Sequence, residues 1–218
     1  HQNINDIPII KTKTTTHVID TISLIPFSQA KERGFEVHDN HERIQTLNVT
    51  NTKIIPLTDL LQILPHTHVE LSNLKFGTTE SEYKNIVQQI IDHEIGNGEG
   101  ANFVIPRRFS AQCSGPTMES VCSIFRSLLE NEHGAYWTFL FYDGTSYIVG
   151  ASPERHISKI KNEVRMNPIS GTFRKHELTD PIERKIAFKA FLDNKKEIYE
   201  LFMVTDEELK IMCRLCQK

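Results

Sequence analysis

The sequence predicts an α+β fold in which helices pack on a mainly antiparallel sheet. The pair Asp143-Gly144 separates two β-rich segments, and this dipeptide is typical of a tight hairpin turn because glycine tolerates positive φ. Apolar residues recur at three- and four-residue spacing over residues 79–95 and again over 120–130, which predicts two amphipathic helices. Hairpins combined with helices of this kind are typical of two-layered α+β domains.

The segments on the N-terminal side of the hairpin can be assigned from local patterns. In chain order we expect extended segments at 21–27 and 34–38, a short helix at 57–65, the helix at 79–95, an extended segment at 101–109 and the helix at 120–130. Pro65 stops the first of these helices, and Gly96-Asn-Gly98 ends the second.

After the hairpin, a strand rich in Val and Met leads into residues 166–172, Met-Asn-Pro-Ile-Ser-Gly-Thr. The pair Asp180-Pro181 supplies an N-cap and a first-turn proline for a helix. Asp193 is expected to cap a second helix, which runs from about residue 195 to the end of the chain.

Length and composition set the class of protein. The chain has 218 residues, enough for one large or two small domains, and its 39% apolar and 24% charged content is that of an ordinary soluble globular protein. A net charge of −3 gives no basic surface for nucleic acid or an anionic membrane. No apolar run approaches the roughly 20 residues that span a bilayer. Four cysteines at irregular spacing favour a reducing cytoplasm over a disulfide framework.

The expected organisation is an N-terminal region at residues 1–72 followed by a larger domain at 73–218. Residues 1–20 are polar and rich in threonine, so part of this region is predicted to be a disordered tail.

Two acidic residues of the last helix form the first candidate site. Glu197 and Glu200 are three residues apart, so their carboxylates project from one side of the helix. Glu197 falls inside the apolar arc of the helix and Glu200 lies at its edge. Burying an ionised carboxylate is costly, and a divalent cation is one way to compensate. The spacing alone favours the alternative, a solvated or lysine-paired face.

A second group of candidates lies around the hairpin and the strand that follows it. Gly171 allows the backbone to approach a ligand closely, and Thr172 adds a backbone N–H and a hydroxyl, but Ser-Gly-Thr alone favours a strand-end turn. Glu154 lies at a strand end, where an ion pair with the adjacent Arg155 or with another basic residue is the alternative to a chemical role.

Two motifs resemble a known family. Ser152-Pro-Glu-Arg155 followed by Pro168-Ile-Ser-Gly-Thr-Phe-Arg174 is similar to the chorismate-utilising enzymes, which include anthranilate, aminodeoxychorismate, isochorismate and salicylate synthases. Within that family, Gly98-Glu-Gly-Ala-Asn-Phe103 and Tyr136-Trp-Thr-Phe139 are most similar to the phenazine-pathway 2-amino-2-deoxyisochorismate synthases. The resemblance runs from about residue 24 to the end of the chain.

The resemblance implies roles for the candidate residues. Lys-Glu-x-x-Glu at 196–200 resembles the element that donates carboxylates to Mg²⁺, with Glu200 as the direct ligand and Glu197 as its support. Glu154 resembles a general acid for departure of the C4 hydroxyl of chorismate, because hydroxide is a poor leaving group. Ser170, Gly171 and Thr172 are expected to bind the substrate.

The resemblance also implies which nucleophile attacks chorismate, through the residues at two positions. Asn102 is an amide where water-using relatives have a lysine, and an amide cannot act as a general base. Ser170 stands where relatives with an enzyme-borne nucleophile have lysine. Both residues imply that ammonia, made by a glutamine amidotransferase domain or subunit, attacks C2 directly. The implied product is 2-amino-2-deoxyisochorismate, and anthranilate synthase component I is the alternative.

The domain of these relatives is longer than this chain and continues past the Lys-Glu-x-x-Glu helix. The resemblance therefore implies the first part of a chorismate-binding domain, truncated at its C-terminus and inactive alone. An interaction piece without catalytic activity is the rival hypothesis, and the resemblance allows a homodimer of the full-length parent.

Overall fold

The computed structural model describes residues 2–7, 19–100, 102–113, 117–174 and 177–216. The chain separates into two compact units, His1–Ile63 and Leu64–Lys218. Most of the predicted disordered tail, residues 1 and 8–18, lies outside the described residues.

Among its described residues, the first unit contains a two-stranded antiparallel ladder and three short helical segments. In chain order its elements are a 3₁₀ turn at Ile4–Asp6, β1 at Thr21–Leu24, a 3₁₀ helix at Phe27–Arg33, β2 at Gln45–Asn48 and α1 at Leu57–Ile63. Strand β1 pairs with β2, and the Ser23 and Thr46 hydroxyls lie 3.2 Å apart across the ladder.

The segment at 34–38, expected to be extended, joins no strand, and β1 pairs with the later β2. Gly34 ends the 3₁₀ helix in the left-handed conformation, with φ of 84°. A few residues later the His41 amide donates to Asp39 Oδ1 at 2.8 Å, and His41 itself has φ of 60°. These two left-handed residues interrupt the extended backbone that a strand requires, so pairing begins only at Gln45.

The second unit holds the other three ladders. Its elements are β3 at Leu71–Phe76, α2 at Glu80–Gln89, β4 at Phe109–Cys113, α3 at Met118–Asn131, β5 at Trp137–Tyr142, β6 at Tyr147–Ser152, β7 at Ser158–Ile160, β8 at Glu163–Arg165, α4 at Pro181–Leu192 and α5 at Lys195–Cys216. Strand β3 pairs with β4, β5 with β6 and β7 with β8, all antiparallel. The α+β class is confirmed, and among the described residues the antiparallel pairing is divided among small two-stranded ladders.

Helix α2 begins at a capping box. Thr79 Oγ1 accepts a hydrogen bond from the Glu82 amide at 3.3 Å, and Glu82 Oε2 accepts from the Thr79 amide at 2.8 Å. These hydrogen bonds from Thr79 lower the pKa of Glu82. Helix α2 passes into a π-helical turn at Ile90–Ile95 and ends at Gly96, so the predicted span of 79–95 is confirmed with its last turn widened.

Residues 102–108 run extended without joining a ladder, and two side chains fix them to α2 and β3. The Arg107 guanidinium lies 4.0 Å from the Phe76 ring centroid and donates to the Thr78 carbonyl through Nε at 3.3 Å and Nη2 at 3.2 Å. The Tyr83 hydroxyl donates to the Ile105 carbonyl at 3.0 Å. Of the described part of the predicted extended segment, only Phe109 belongs to a strand.

The predicted hairpin is formed by β5 and β6. Asp143 Oδ1 accepts from the amides of Thr145 at 2.8 Å and Ser146 at 2.7 Å, while Gly144 has φ of 100°. Helix α3 packs on both strands and contributes Val121, which is 8% exposed. This hairpin positions the Ser-Pro-Glu-Arg motif at the end of β6.

The last two helices begin at side-chain caps. Asp180 Oδ1 accepts from the amides of Ile182 at 2.6 Å and Glu183 at 3.0 Å, as the sequence predicted for α4. At α5 the cap is Asn194, whose Oδ1 accepts from the Lys196 amide at 2.9 Å, whereas Asp193 is the C-cap of α4. The prediction of an Asp193 cap was wrong by one residue, because Asp193 still has helical backbone angles.

Large apolar side chains remain exposed on both helices. Those on α4 and α5 include Ile182, Ile186, Phe188, Leu192, Leu201, Phe202 and Leu209. None of the helices that the structure describes combines the length and apolar character needed to cross a membrane.

Candidate functional site

The segment at 170–173 lies against the beginning of α5. The Phe173 ring packs on Phe188 with centroids 5.1 Å apart and on Phe191 with centroids 5.8 Å apart. This packing brings Gly171 beside the Glu197 carboxylate. A Cβ at Gly171 would overlap Glu197 Oε2 and lie 2.7 Å from its Cδ. The absence of a side chain at Gly171 therefore allows the Glu197 carboxylate to take this position.

A cavity of about 230 Å³ opens at this contact. It is lined by Ser170, Gly171, Phe191, Leu192, Glu197, Ile198 and Leu201. Two of its polar atoms, Ser170 Oγ and Glu197 Oε2, are buried and have no hydrogen-bond partner among the described residues. A buried polar atom left unpaired costs about 1–3 kcal/mol, so this pair of oxygens indicates a place for a polar ligand.

The other oxygen of Glu197 and the carboxylate of Glu200 share one lysine. Lys196 Nζ lies 3.1 Å from Glu197 Oε1 and 2.8 Å from Glu200 Oε2. The Glu200 carboxylate, followed by that of Glu197, raises the pKa of Lys196 above its usual value. The lysine-paired alternative that the spacing favoured is therefore what the structure forms.

These carboxylates fit a magnesium ion. Mg²⁺ usually keeps several waters and binds through one or two carboxylates, so the Glu197–Glu200 pair is sufficient. The unpaired Glu197 Oε2 and the close approach of Gly171 to it indicate where the ion would lie beside the two carboxylates. Among the residues that the structure describes, no group of three or more His, Cys, Asp or Glu side chains could hold a metal ion, so water or substrate would complete the coordination.

Glu154 is half-buried at the end of β6. The Ser152 hydroxyl donates to the Glu154 carbonyl at 2.9 Å, which fixes the backbone of the motif. The Arg155 guanidinium turns to other partners: it lies 4.4 Å from the Tyr136 ring centroid and 3.5 Å from Ser158 Oγ. The expected alternative, an ion pair between Glu154 and Arg155, is not formed in the described part of the chain.

A main-chain hydrogen bond connects this motif to the segment at 166–174. The Asn167 amide donates to the Arg155 carbonyl at 3.3 Å. The two motifs that carried the family resemblance are therefore neighbours in space, as one site would require.

Three predicted site residues lie apart from the cavity. Asn102 is exposed in the extended segment at 102–108, Thr172 is exposed, and Glu154 is on the hairpin. The structure brings together Ser170, Gly171 and Glu197 around the cavity, and Glu200 is joined to them through Lys196.

Phe173 and Phe191, whose rings pack together next to the contact of Gly171 with Glu197, were not predicted from the sequence to be part of the site. The spacing of Phe188 and Phe191 on one face of α4 was the available signal, since residues three apart on a helix are neighbours.

The family model of chorismate binding enzymes matches residues 13–218. The chain belongs to this family. The match covers both motifs and the whole second unit, so the resemblance found in the sequence is confirmed.

Individual relatives agree with this assignment. The chain is 43% identical to "Anthranilate synthase, phenazine specific" of Pseudomonas chlororaphis, over 99% of this chain and 33% of the relative. It is 44% identical to the protein of the same name from Pseudomonas fluorescens, over 91% of this chain and 31% of the relative. It is 25% identical to "Anthranilate synthase component 1" of Lactococcus lactis, over 84% of this chain and 40% of the relative. The chain spans about a third of the length of the first two relatives.

Proposed function

We propose that the protein containing this chain converts chorismate to 2-amino-2-deoxyisochorismate, using Mg²⁺ and ammonia from a glutamine amidotransferase domain or subunit. The observation that carries the proposal is the contact between Gly171 and Glu197, because it joins the Ser-Gly-Thr motif to the acidic helix at one cavity. The two Pseudomonas relatives are named as phenazine-specific anthranilate synthases, and this supports the same class of reaction.

In this proposal Glu200 is the direct ligand of Mg²⁺ and Glu197 supports it. When bound, Mg²⁺ neutralises the carboxylate of chorismate and fixes its orientation. Glu197 is suited to a supporting role because its Oε2 is turned inward against Gly171, which limits the movement of the carboxylate. Ser170, Gly171 and Thr172 offer hydroxyls and backbone groups to the substrate.

Glu154 is the general acid of the proposed reaction. Nitrogen forms a bond to C2 of chorismate, the ring double bonds shift, and the C4–oxygen bond breaks. Protonated Glu154 donates its proton to the departing oxygen, which leaves as water, and the ammonium nitrogen then loses a proton. Positioned acid catalysis of this kind accelerates a reaction by roughly 10²–10⁴-fold.

Asn102 is proposed to contact the nucleophile. Its amide oxygen can orient ammonia by accepting a hydrogen bond, but the amide has no basic nitrogen with which to activate water. Ammonia carries its own nucleophilic lone pair, so the proposed reaction needs no base at this position.

The relatives are named as anthranilate synthases, and this also favours a second reaction, the formation of anthranilate. An anthranilate synthase component I would form the same aminated intermediate and then eliminate pyruvate. A third candidate, a non-catalytic interaction piece, draws on the exposed apolar side chains of α4 and α5.

The four cysteines are free, which supports our proposal that the protein works in a reducing cytoplasm. A homodimer of the full-length parent remains part of the same hypothesis.

Incubation of the full-length protein with chorismate, ammonium and Mg²⁺, followed by mass analysis, tests the proposal. We expect 2-amino-2-deoxyisochorismate without pyruvate. Anthranilate together with pyruvate would support the second candidate, and unchanged chorismate in the presence of glutamine or ammonium would rule out both synthase reactions. The isolated 218-residue chain is the matched comparison and is expected to show no turnover.

A further inference from the structure

Helix α5 carries two clusters in which one lysine bridges two carboxylates. In the first, Lys196 Nζ lies 3.1 Å from Glu197 and 2.8 Å from Glu200. In the second, Lys210 Nζ lies 2.8 Å from Asp206 and 2.7 Å from Glu207. The two clusters have the same charges and similar distances, so a difference in behaviour must come from their surroundings.

The surroundings differ in burial. The side chains of Glu197 and Glu200 are 21% and 25% exposed, whereas those of Asp206 and Glu207 are both 65% exposed. Glu197 also presents a buried, unpaired Oε2 to the cavity beside Gly171. The first cluster is thus a half-buried anionic pair that needs a cation, while water solvates the second.

Lys196 is the cation that meets this need in the present structure, and its side chain is 69% exposed. Its ammonium occupies the two oxygens, Glu197 Oε1 and Glu200 Oε2, that point to the same side of the helix. The flexible four-carbon stem lets such an ammonium move into solvent with little loss of packing.

We propose that Lys196 stands in for the divalent cation and competes with it, so that metal binds only when Lys196 withdraws. This inference rests on the metal role given to Glu200 under the proposed function. A divalent ion bound to Glu200 Oε2 and the Lys196 ammonium, which lies 2.8 Å from that oxygen, exclude each other because their like charges repel at this separation.

Lys196 has a second effect that opposes the first. By offsetting one of the two negative charges, its ammonium reduces the repulsion between the carboxylates and so keeps the pair together without a metal ion. The helix backbone already fixes the three-residue spacing of Glu197 and Glu200, however, so little preorganisation is lost when the lysine is removed. Competition is therefore the larger effect, and removing Lys196 tightens metal binding.

The test measures Mn²⁺ binding to the full-length protein by the electron paramagnetic resonance signal of free Mn²⁺, followed by displacement with Mg²⁺. Mn²⁺ is a suitable probe because it prefers the same carboxylate and water ligands as Mg²⁺. We expect Lys196→Met to lower the dissociation constant by up to about fivefold, the size expected when an exposed competing ion pair is removed. Lys210→Met, the matched control on the same helix, is expected to leave it unchanged.

Unchanged or weaker Mn²⁺ binding in Lys196→Met, with its thermal unfolding temperature close to that of the wild type, would overturn the inference. An equal gain in Lys210→Met would also overturn it, because the effect would then be one of net charge. Glu200→Gln separates this result from the metal assignment itself: loss of Mn²⁺ binding in that variant supports the metal role whatever Lys196 does. Product analysis from chorismate tests the proposed reaction independently of both.

Discussion

The α-carbon of Gly171 lies against the carboxylate of Glu197, so closely that a methyl group at Gly171 would overlap Glu197 Oε2. The two residues belong to separate elements, the segment after β8 and the first turn of α5. Their contact depends on Phe173, which packs on two aromatic rings of α4. A substitution at Gly171 is therefore expected to change the position of the Glu197 carboxylate, and a substitution at Glu197 the surroundings of Gly171.

Gly171→Ala is the most direct test of this contact. The added methyl group must displace the Glu197 carboxylate, which is the far end of a flexible side chain, so we expect the variant to lose less than about 1 kcal/mol of unfolding free energy. Misplacement of the carboxylate by about 1 Å should lower turnover by roughly a hundredfold in the full-length protein. Denaturant unfolding and chorismate turnover measure the two effects.

Gly77→Ala is the matched control, because a Cβ at Gly77 would meet its nearest neighbour, Arg108 Cβ, at an ordinary 3.5 Å. If Gly171→Ala were as stable and as active as Gly77→Ala, the close approach of Gly171 to Glu197 would have no functional role.

The two carboxylates of α5 are expected to respond differently to neutralisation. Glu200→Gln should abolish Mg²⁺-dependent turnover of the full-length protein, because an amide is a poor ligand for Mg²⁺. Glu197→Gln should only weaken the dependence on Mg²⁺, by about 10–100-fold in affinity, as is typical of groups that orient a metal ligand. A Mg²⁺ titration of turnover distinguishes the two variants.

Glu207→Gln serves as the control, since Glu207 pairs with a lysine on the same helix but is 65% exposed. Wild-type titration curves in both Glu197→Gln and Glu200→Gln would show that the pair is structural and that the metal assignment is wrong.

Features set by local chemistry could be predicted from the sequence. The Asp143 hairpin and the Asp180 cap each depend on a side chain that bonds to a backbone amide two or three residues away. Asp193 was predicted to cap α5, but the cap is the next residue, Asn194. The position of a cap depends on backbone angles, and the sequence does not show which of the two residues adopts them.

Features set by tertiary packing could not be predicted in this way. Strand β3 was missed because its sequence, Leu-Ser-Asn-Leu-Lys-Phe, lacks the alternation of apolar and polar residues that marks a half-buried strand, and all six residues are exposed. The contact of Gly171 with Glu197 likewise depends on how α4 and α5 pack. The sequence indicated both residues as candidates, but only through family resemblance, and gave no distance between them.

Arg107 is expected to stabilise the extended segment that contains Asn102. Arg107→Ala removes a cation–π contact with Phe76 and two hydrogen bonds to the Thr78 carbonyl. The combined loss should lower the unfolding free energy by about 1–3 kcal/mol. Chemical denaturation of the full-length protein measures this effect.

Arg165→Ala is the control for the loss of an arginine. Arg165 pairs with Glu163, and their side chains are 55% and 60% exposed, so the substitution should cost less than about 1 kcal/mol. Equal unfolding free energies for the two variants would mean that Arg107 does not anchor the segment.

Asn102→Lys tests which residue selects the nucleophile. Water at neutral pH needs a base to attack C2, whereas ammonia attacks through its own lone pair. In the full-length protein, we expect the lysine to reduce the ammonia-dependent product and to admit traces of isochorismate, because the unprotonated amine of a lysine can take a proton from water, which an amide cannot. Mass analysis of chorismate reactions with and without ammonium measures both products.

Asn102→Gln is the matched variant, since it keeps the amide while lengthening the side chain. It should retain the aminated product and form no isochorismate, which separates the chemistry of the lysine from its bulk. Because Asn102 is exposed in this structure, the substitution should leave the fold intact, and thermal unfolding checks that expectation. An Asn102→Lys protein that makes the aminated product at the parent's rate would show that Asn102 does not face the nucleophile. The nucleophile would then have to be selected elsewhere, with the Ser170 hydroxyl in the cavity beside Glu197 as the next residue to replace.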